Sequence, residues 1–287
     1  MENSKNDKIL VCGGCSFSGD GGINHIDIFI KEFPEDYELL INKDGNLIDD
    51  DKYREFIKKH LWSYKLSKLM GYKDCINLSA GGKGLYTTIN AIYHYYFNTR
   101  NTNIEIFYQL PEPDRLELWV DALKKPLSVI SEIEDRSDIK KNFILNFFNS
   151  NWNLFTYLNE LYKFKLFFSN LGIPVHLIPW NSSFTKTSDS IKQLKECIKY
   201  GDGSNHYQSL QTSVDRVDYF DIERITDYLD FIHIDNQFSV TDYLTDVENK
   251  PIFIADKYSD ISTDKHLCVE GHTMFANKLY DVLNVTT

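Results

Sequence analysis

The chain has 287 residues, 42% of them hydrophobic and 14% aromatic, and carries a formal charge of −11. That composition supports a packed core and excludes an intrinsically disordered chain. Its acidity leaves no electrostatic footprint for nucleic acid or an anionic membrane surface, and no local basic run supplies one.

Met1 to Asp7 is polar and charged, with no apolar core of a signal peptide. No apolar stretch approaches the ~20 residues of a spanning helix. A cytoplasmic location without a membrane partner is therefore expected. The five cysteines, Cys12, Cys15, Cys75, Cys197 and Cys268, are an odd count in a long chain. They read as free thiols rather than as a disulfide framework.

In chain order, Ile9 to Cys12 is a short apolar run, broken by Gly13-Gly14 and followed at once by Cys15-Ser16. This is the pattern of a buried strand ending in a tight turn. Ile23 to Phe33 reads as a short helix or an irregular segment, with a hairpin or loop near Lys43 to Asn46. The spacing of Phe56, Ile57, Leu61, Tyr64, Leu66 and Leu69 predicts one helix over 51–70, stopped by Gly71. Cys75 to Leu78 is a second strand, followed by the glycine turn Gly81-Gly82-Lys83-Gly84 and a helix over 85–97.

Ile104 to Leu110 is the clearest strand. Residues 116–146 read as partly helical. Trp152 to Leu171 is an aromatic-rich helix closed by Gly172, and 174–180 is the strand behind it. Residues 181–225 are a polar insertion, with a helix near 191–198. Tyr228 to Ile234 is a candidate fifth strand, with a small helix near 240–244. A loop over 258–269 leads into a last helix from about Glu270 to Leu283.

Strands alternate with helices, and none of the strands alternates strongly in polarity. This predicts an α/β fold: a three-layer α/β/α sandwich around a flavodoxin-like parallel sheet of about five strands. No repeat and no linker divides the chain, so residues 1–287 are expected to form one domain carrying the insertion.

In an open α/β sheet, ligands bind at the carboxyl ends of the strands. Ser16 stands at such an end, and a serine hydroxyl needs a base to act as a nucleophile. Near the C-terminus, Asp264-Lys265-His266 supplies one. The aspartate can hold one ring nitrogen of His266, leaving the other to take the Ser16 proton. Candidate donors to a developing oxyanion are the Ser16 N–H, the Gly81-Gly82 turn and the side-chain amide of Gln109. Arg115 is a candidate substrate-binding residue.

Gly14-Cys15-Ser16-Phe17 resembles the first block of the SGNH/GDSL hydrolases, especially divergent bacterial and phage members with a Gly-Cys-Ser-Phe start. Asn77-Leu78-Ser79-Ala80-Gly81-Gly82 resembles the second block, whose glycine gives an oxyanion N–H, here Gly82. Asp264-x-His266 followed by Gly271-His272 resembles the last block, where the usual spacing is Asp-x-x-His. The third block's Asn is missing, and Gln109 to Arg115 occupy its place.

The resemblance implies a serine esterase that removes a small acyl group, an O-acetyl on a carbohydrate above all, without metal or organic cofactor. It also admits a virion-associated location. Acyl transfer to a sugar hydroxyl uses the same site. The missing Asn motivates an alternative, a catalytically silent glycan-binding or structural module. Cys12-x-x-Cys15 also matches a redox pair, though Gly13-Gly14 and the following loop fit that poorly. Ser18 is the nearest competitor to Ser16. His272 is expected to cap or pack at the last helix, and His25 and His176 to be structural.

Overall fold

A computed structural model of the chain describes residues 7–19, 23, 26–36, 40, 50–111, 117–120, 125–128, 150–180, 225, 228–232, 234, 239–260, 262 and 264–285. Arg115, Cys197, His25, the expected loop near 43–46, residues 181–224 of the insertion and its helix near 191–198 lie outside them.

The apolar run at the N-terminus forms β1 (Ile9–Gly13), and β2 (Asp74–Asn77) and β3 (Ile104–Gln109) pair with it on either side. Strand β6 (Val175–Ile178) extends the sheet beyond β3. All pairings are parallel, in the order β2-β1-β3-β6. The register sets Val11 beside Ile76 and Ile106, and Tyr108 beside Leu177. The expected fifth strand is reduced to a parallel bridge between Leu177 and Phe231, so the described sheet has four strands. Phe231 continues the flavodoxin-like order at the β6 edge.

Successive side chains of a strand point to opposite faces, so each strand feeds two cores. Val11, Ile106, Tyr108 and Leu177 face one layer, made of α4 (Leu85–Thr99) and α5 (Ser150–Asn170). Leu10, Cys12, Phe107 and Ile178 face the other, made of α3 (Trp62–Leu69) and α8 (Val269–Val285). Burial of Phe164 and Phe168 on the first face and Trp62 and Phe275 on the second contributes roughly 1.5–3 kcal/mol per side chain. This is the expected three-layer α/β/α arrangement.

The helix expected over 51–70 is two helices, α2 (Asp50–Lys58) and α3. Leu61 is extended between them, at φ −74° and ψ 144°. The chain turns here because α2 packs into a third cluster with α1 (Ile26–Glu32), while α3 packs on the sheet. Within 116–146, read as only partly helical, β4 (Glu117–Val120) and β5 (Lys125–Ser128) pair antiparallel. Val240–Asp242 forms a short turn of helix α6, which runs on as a π-helical turn to Val247 and precedes α7 (Ile254–Lys257). Among the described residues, no helix is long and apolar enough to cross a membrane.

Candidate active site

Because the sheet is parallel, β1, β2 and β3 all end at one edge. Beyond β1 the chain makes a tight turn in which the Ser18 and Gly19 amides both donate to the Cys15 carbonyl (3.0 and 3.3 Å). Gly14 makes that turn possible. Its φ is +139°, and a β-carbon on it would lie 2.5 Å from the Gln109 carbonyl oxygen. Only glycine fits such a conformation at such an approach.

The turn presents Ser16 at partial exposure. Its Oγ lies 2.7 Å from Nε2 of His266, 250 positions later in the chain. The Asp264 carboxylate is hydrogen-bonded to Nδ1 of His266 through Oδ1. The same oxygen accepts the His266 backbone N–H at 2.9 Å. A carboxylate can only accept, so Nδ1 carries the proton and Nε2 offers its lone pair to the Ser16 hydroxyl. One Asp264 oxygen thus holds both the backbone and the ring of a histidine two residues away. The Asp-x-His spacing is geometrically sufficient for that contact.

The 264–268 segment is itself held in place. Ile254 N donates to the His266 carbonyl (2.9 Å) and Ala255 N to the Asp264 carbonyl (2.7 Å). Phe253 and Leu267 form an antiparallel bridge. Asp264 N donates to Ser262 Oγ at 3.1 Å. The side chains of His266 and Asp264 keep 26% and 20% of their surface exposed, so the pair is hydrogen-bonded in place yet reached by solvent.

The second turn comes from β2. Asn77 donates through Nδ2 to the Ser18 carbonyl (2.7 Å) and to Ser63 Oγ (3.2 Å), and accepts from Ser79 N (2.9 Å). The Ala80 amide donates to the Gly14 carbonyl at 3.0 Å. These bonds lay the Gly81-Gly82 turn against the serine turn: a β-carbon on Gly81 would sit 3.6 Å from the Ser16 β-carbon. Gly82 follows with a left-handed φ of +69°. The Ser16 N–H makes no hydrogen bond among the described residues. The clamping role of Asn77 was not foreseen from the sequence, although Asn77 opens the motif that points to this turn.

Gln109 does not stand where an exposed oxyanion donor would. Its side chain is fully buried, its Oε1 accepts the Ser18 hydroxyl, and its Nε2 is buried with no partner among the described residues. Gly14 packs directly over it. The expectation that its amide reaches a substrate is corrected accordingly: Gln109 supports the turn from below. Ser18 is fully buried in the same contact.

His272 is buried in α8, and its Nδ1 accepts the Trp62 amide at 3.2 Å, at the start of α3. Burial pushes its pKa down to about 3, with smaller contributions from Lys65, His266 and His60. It caps α3 as a neutral ring. His176 is a structural partner of Glu105, with Nε2 2.7 Å from Oε1. Cys12 and Cys15 are both buried, and burial, followed by Cys75, pushes the Cys12 thiol far up. A reactive redox pair needs an exposed, low-pKa thiol, so the geometry does not favour that reading.

Among the described residues, no three His, Cys, Asp or Glu side chains are grouped to hold a metal ion. Comparison of the chain with protein-family models, curated proteins and solved structures returns no match.

Proposed function

We propose that the chain is a serine esterase of the SGNH type, cleaving a small acyl ester through Ser16, His266 and Asp264. The observation that carries this reading is the hydrogen-bonded relay from Ser16 Oγ to His266 Nε2, and from Nδ1 to Asp264. A nucleophile, a base within 2.7 Å and an orienting carboxylate at a strand-end edge are what acyl transfer requires.

In the reaction, Ser16 Oγ attacks the acyl carbon while its proton passes to His266 Nε2. The tetrahedral oxyanion is met by the Ser16 N–H and the Gly81-Gly82 turn, where Gly82 is the residue the family resemblance designates. The intermediate collapses as His266 returns the proton to the leaving alcohol oxygen, and an acyl-serine remains. Water attacks that ester, again through His266, and releases the acid and free Ser16. Asp264 keeps its charge throughout and stabilises the imidazolium. An O-acetyl group on a carbohydrate is the substrate class that the resemblance favours. The buried Gln109 leaves the oxyanion to backbone donors. This favours the second reading, a catalytically silent glycan-binding module.

Hydrolysis of p-nitrophenyl acetate and a short acyl series, together with fluorophosphonate labelling, separates the two. The esterase reading expects turnover and labelling in the parent and in Ser18→Ala, and loss of both in Ser16→Ala and His266→Ala. A folded parent that neither turns over nor labels overturns it in favour of the silent module.

A further inference from the structure

The imidazole of His266 has a face as well as two nitrogens. Asp264 and Ser16 take the nitrogens. The ring of Phe17, the residue directly after the nucleophile, lies 4.7 Å from the imidazole centroid at an interplanar angle of 35°. Phe17 stacks in turn on Trp180, with centroids 3.6 Å apart at 21°. Trp180 meets Phe253 edge-on at 6.0 Å. Phe17 is thus in ring contact with both His266 and Trp180. Trp180 is itself 6% exposed and anchors the column in the core.

We infer that Phe17 is a positioning residue for the base: its ring face stabilises His266 as a cation and fixes the plane of the imidazole. The role rests on the esterase reading, in which an imidazolium forms at each proton transfer. The physical cause is the negative face of an aromatic ring, which attracts a cation within ~6 Å of its centroid. Stacking on Trp180 holds that face in place. Without it the imidazole would keep its two in-plane hydrogen bonds but lose its support out of plane.

Asp264 faces Nδ1 of His266, and Ser16 faces Nε2. His272, from α8, stays neutral down to about 3 and adds no competing charge above that. Lys265, adjacent in sequence, is exposed. Phe17 adds its ring, tilted 35° to the imidazole.

The test is a titration of the His266 imidazole C–H resonances by NMR in the full chain, without substrate. Phe17 is replaced in turn by mono-, di- and trifluorophenylalanine, which weaken the negative face while keeping the shape. Phe17→Trp and Phe17→Leu complete the series. The midpoint is expected to fall stepwise with fluorination, to fall by about half a pH unit in Phe17→Leu, and to be kept in Phe17→Trp. A midpoint unchanged across the fluorinated series overturns the inference. Because the fluorinated side chains are close to isosteric, the series decides even if Phe17→Leu does not fold. Labelling of Ser16 in the same samples is read separately. A graded titration without labelling would retain the Phe17–His266 interaction and sink the esterase.

Discussion

Gly271 packs so closely on Ile252 that a β-carbon added to it would sit 2.0 Å from the Ile252 carbonyl oxygen. Ile252 also accepts the Cys268 amide at 3.0 Å, and the residues just after it pair with Asp264 and His266. The first turn of α8 and the segment carrying Asp264 and His266 are therefore both held to one neighbouring stretch, by the close approach at Gly271 and by these hydrogen bonds.

Gly271→Ala tests that lock. On an open helix surface the change would stabilise by up to ~1 kcal/mol. Here the clash is with backbone, which cannot rotate away, so a loss on the order of 2–4 kcal/mol is expected. The folded fraction should also label more slowly at Ser16, because Asp264 and His266 move with the displaced segment. Urea unfolding and the rate of fluorophosphonate labelling check both parts. A variant as stable and as reactive as the parent would show that the lock is not needed.

Asp264→Asn separates charge from shape. The amide can turn its NH2 toward Nδ1, which forces the proton onto Nε2 and leaves no lone pair for Ser16. A fall in kcat of about 10^4 with little change in KM is expected, by the usual behaviour of such triads. Steady-state kinetics on p-nitrophenyl acetate decides. A loss of less than tenfold would mean that Asp264 only shapes the loop.

Much of this arrangement was legible in advance because each half carries a local signature. Gly13-Gly14 after an apolar run marks the end of β1 just before Ser16, and Asp264-x-His266 stands just before the last helix. A parallel sheet then leaves only one edge for both strand-end turns. What was not legible depends on distant contacts. No glycine or proline marks the break between α2 and α3, whose first amide is capped by His272, 210 residues away. Periodicity alone runs straight through it. The antiparallel pairing of β4 with β5 is not legible because Leu118, Trp119 and Val120 are surrounded by residues of mixed preference. Gln109 has the right chemistry and the right strand end, but its burial under Gly14 is a packing fact that no residue type discloses.

At the opposite end of the strands, Glu105 accepts Lys8 Nζ (2.8 Å), the Tyr72 hydroxyl (2.6 Å) and His176 Nε2 (2.7 Å). Burial raises its pKa, but these hydrogen bonds, His176 first, outweigh burial and hold it at about 2, against 4.5 for the free group. A depressed carboxylate stabilises the fold fully above its unfolded value. That contribution fades as pH falls from about 4.5 through about 2. The shift corresponds to roughly 3 kcal/mol. Glu105→Gln should therefore be less stable than the parent by up to about that amount at pH 7, with the gap closing toward pH 2. Urea titrations of both proteins across this range measure it. A gap that stays constant with pH would mean that the loss is packing rather than charge.

Glu117, on the hairpin, reaches across to the start of α4. Its Oε1 accepts the Gly84 amide at 3.0 Å and its Oε2 the Thr87 amide at 2.8 Å. The α4 N-terminus has no side-chain cap of its own at Gly84, so a distant carboxylate fills that role and meets the positive end of the helix dipole. The Gly84 amide also ends the Gly81-Gly84 turn that lies against Ser16. Glu117→Ala should cost about 1–2 kcal/mol and speed hydrogen exchange at Gly84 and Thr87. In the proposed esterase it should also lower kcat more than it raises KM, because the turn assigned to the oxyanion loosens. Glu117→Gln keeps one acceptor and should recover part of each effect. Exchange rates and kinetics measured on the same pair of variants decide. Faster exchange without a change in kcat would confine Glu117 to stability and detach the hairpin from the chemistry at Ser16.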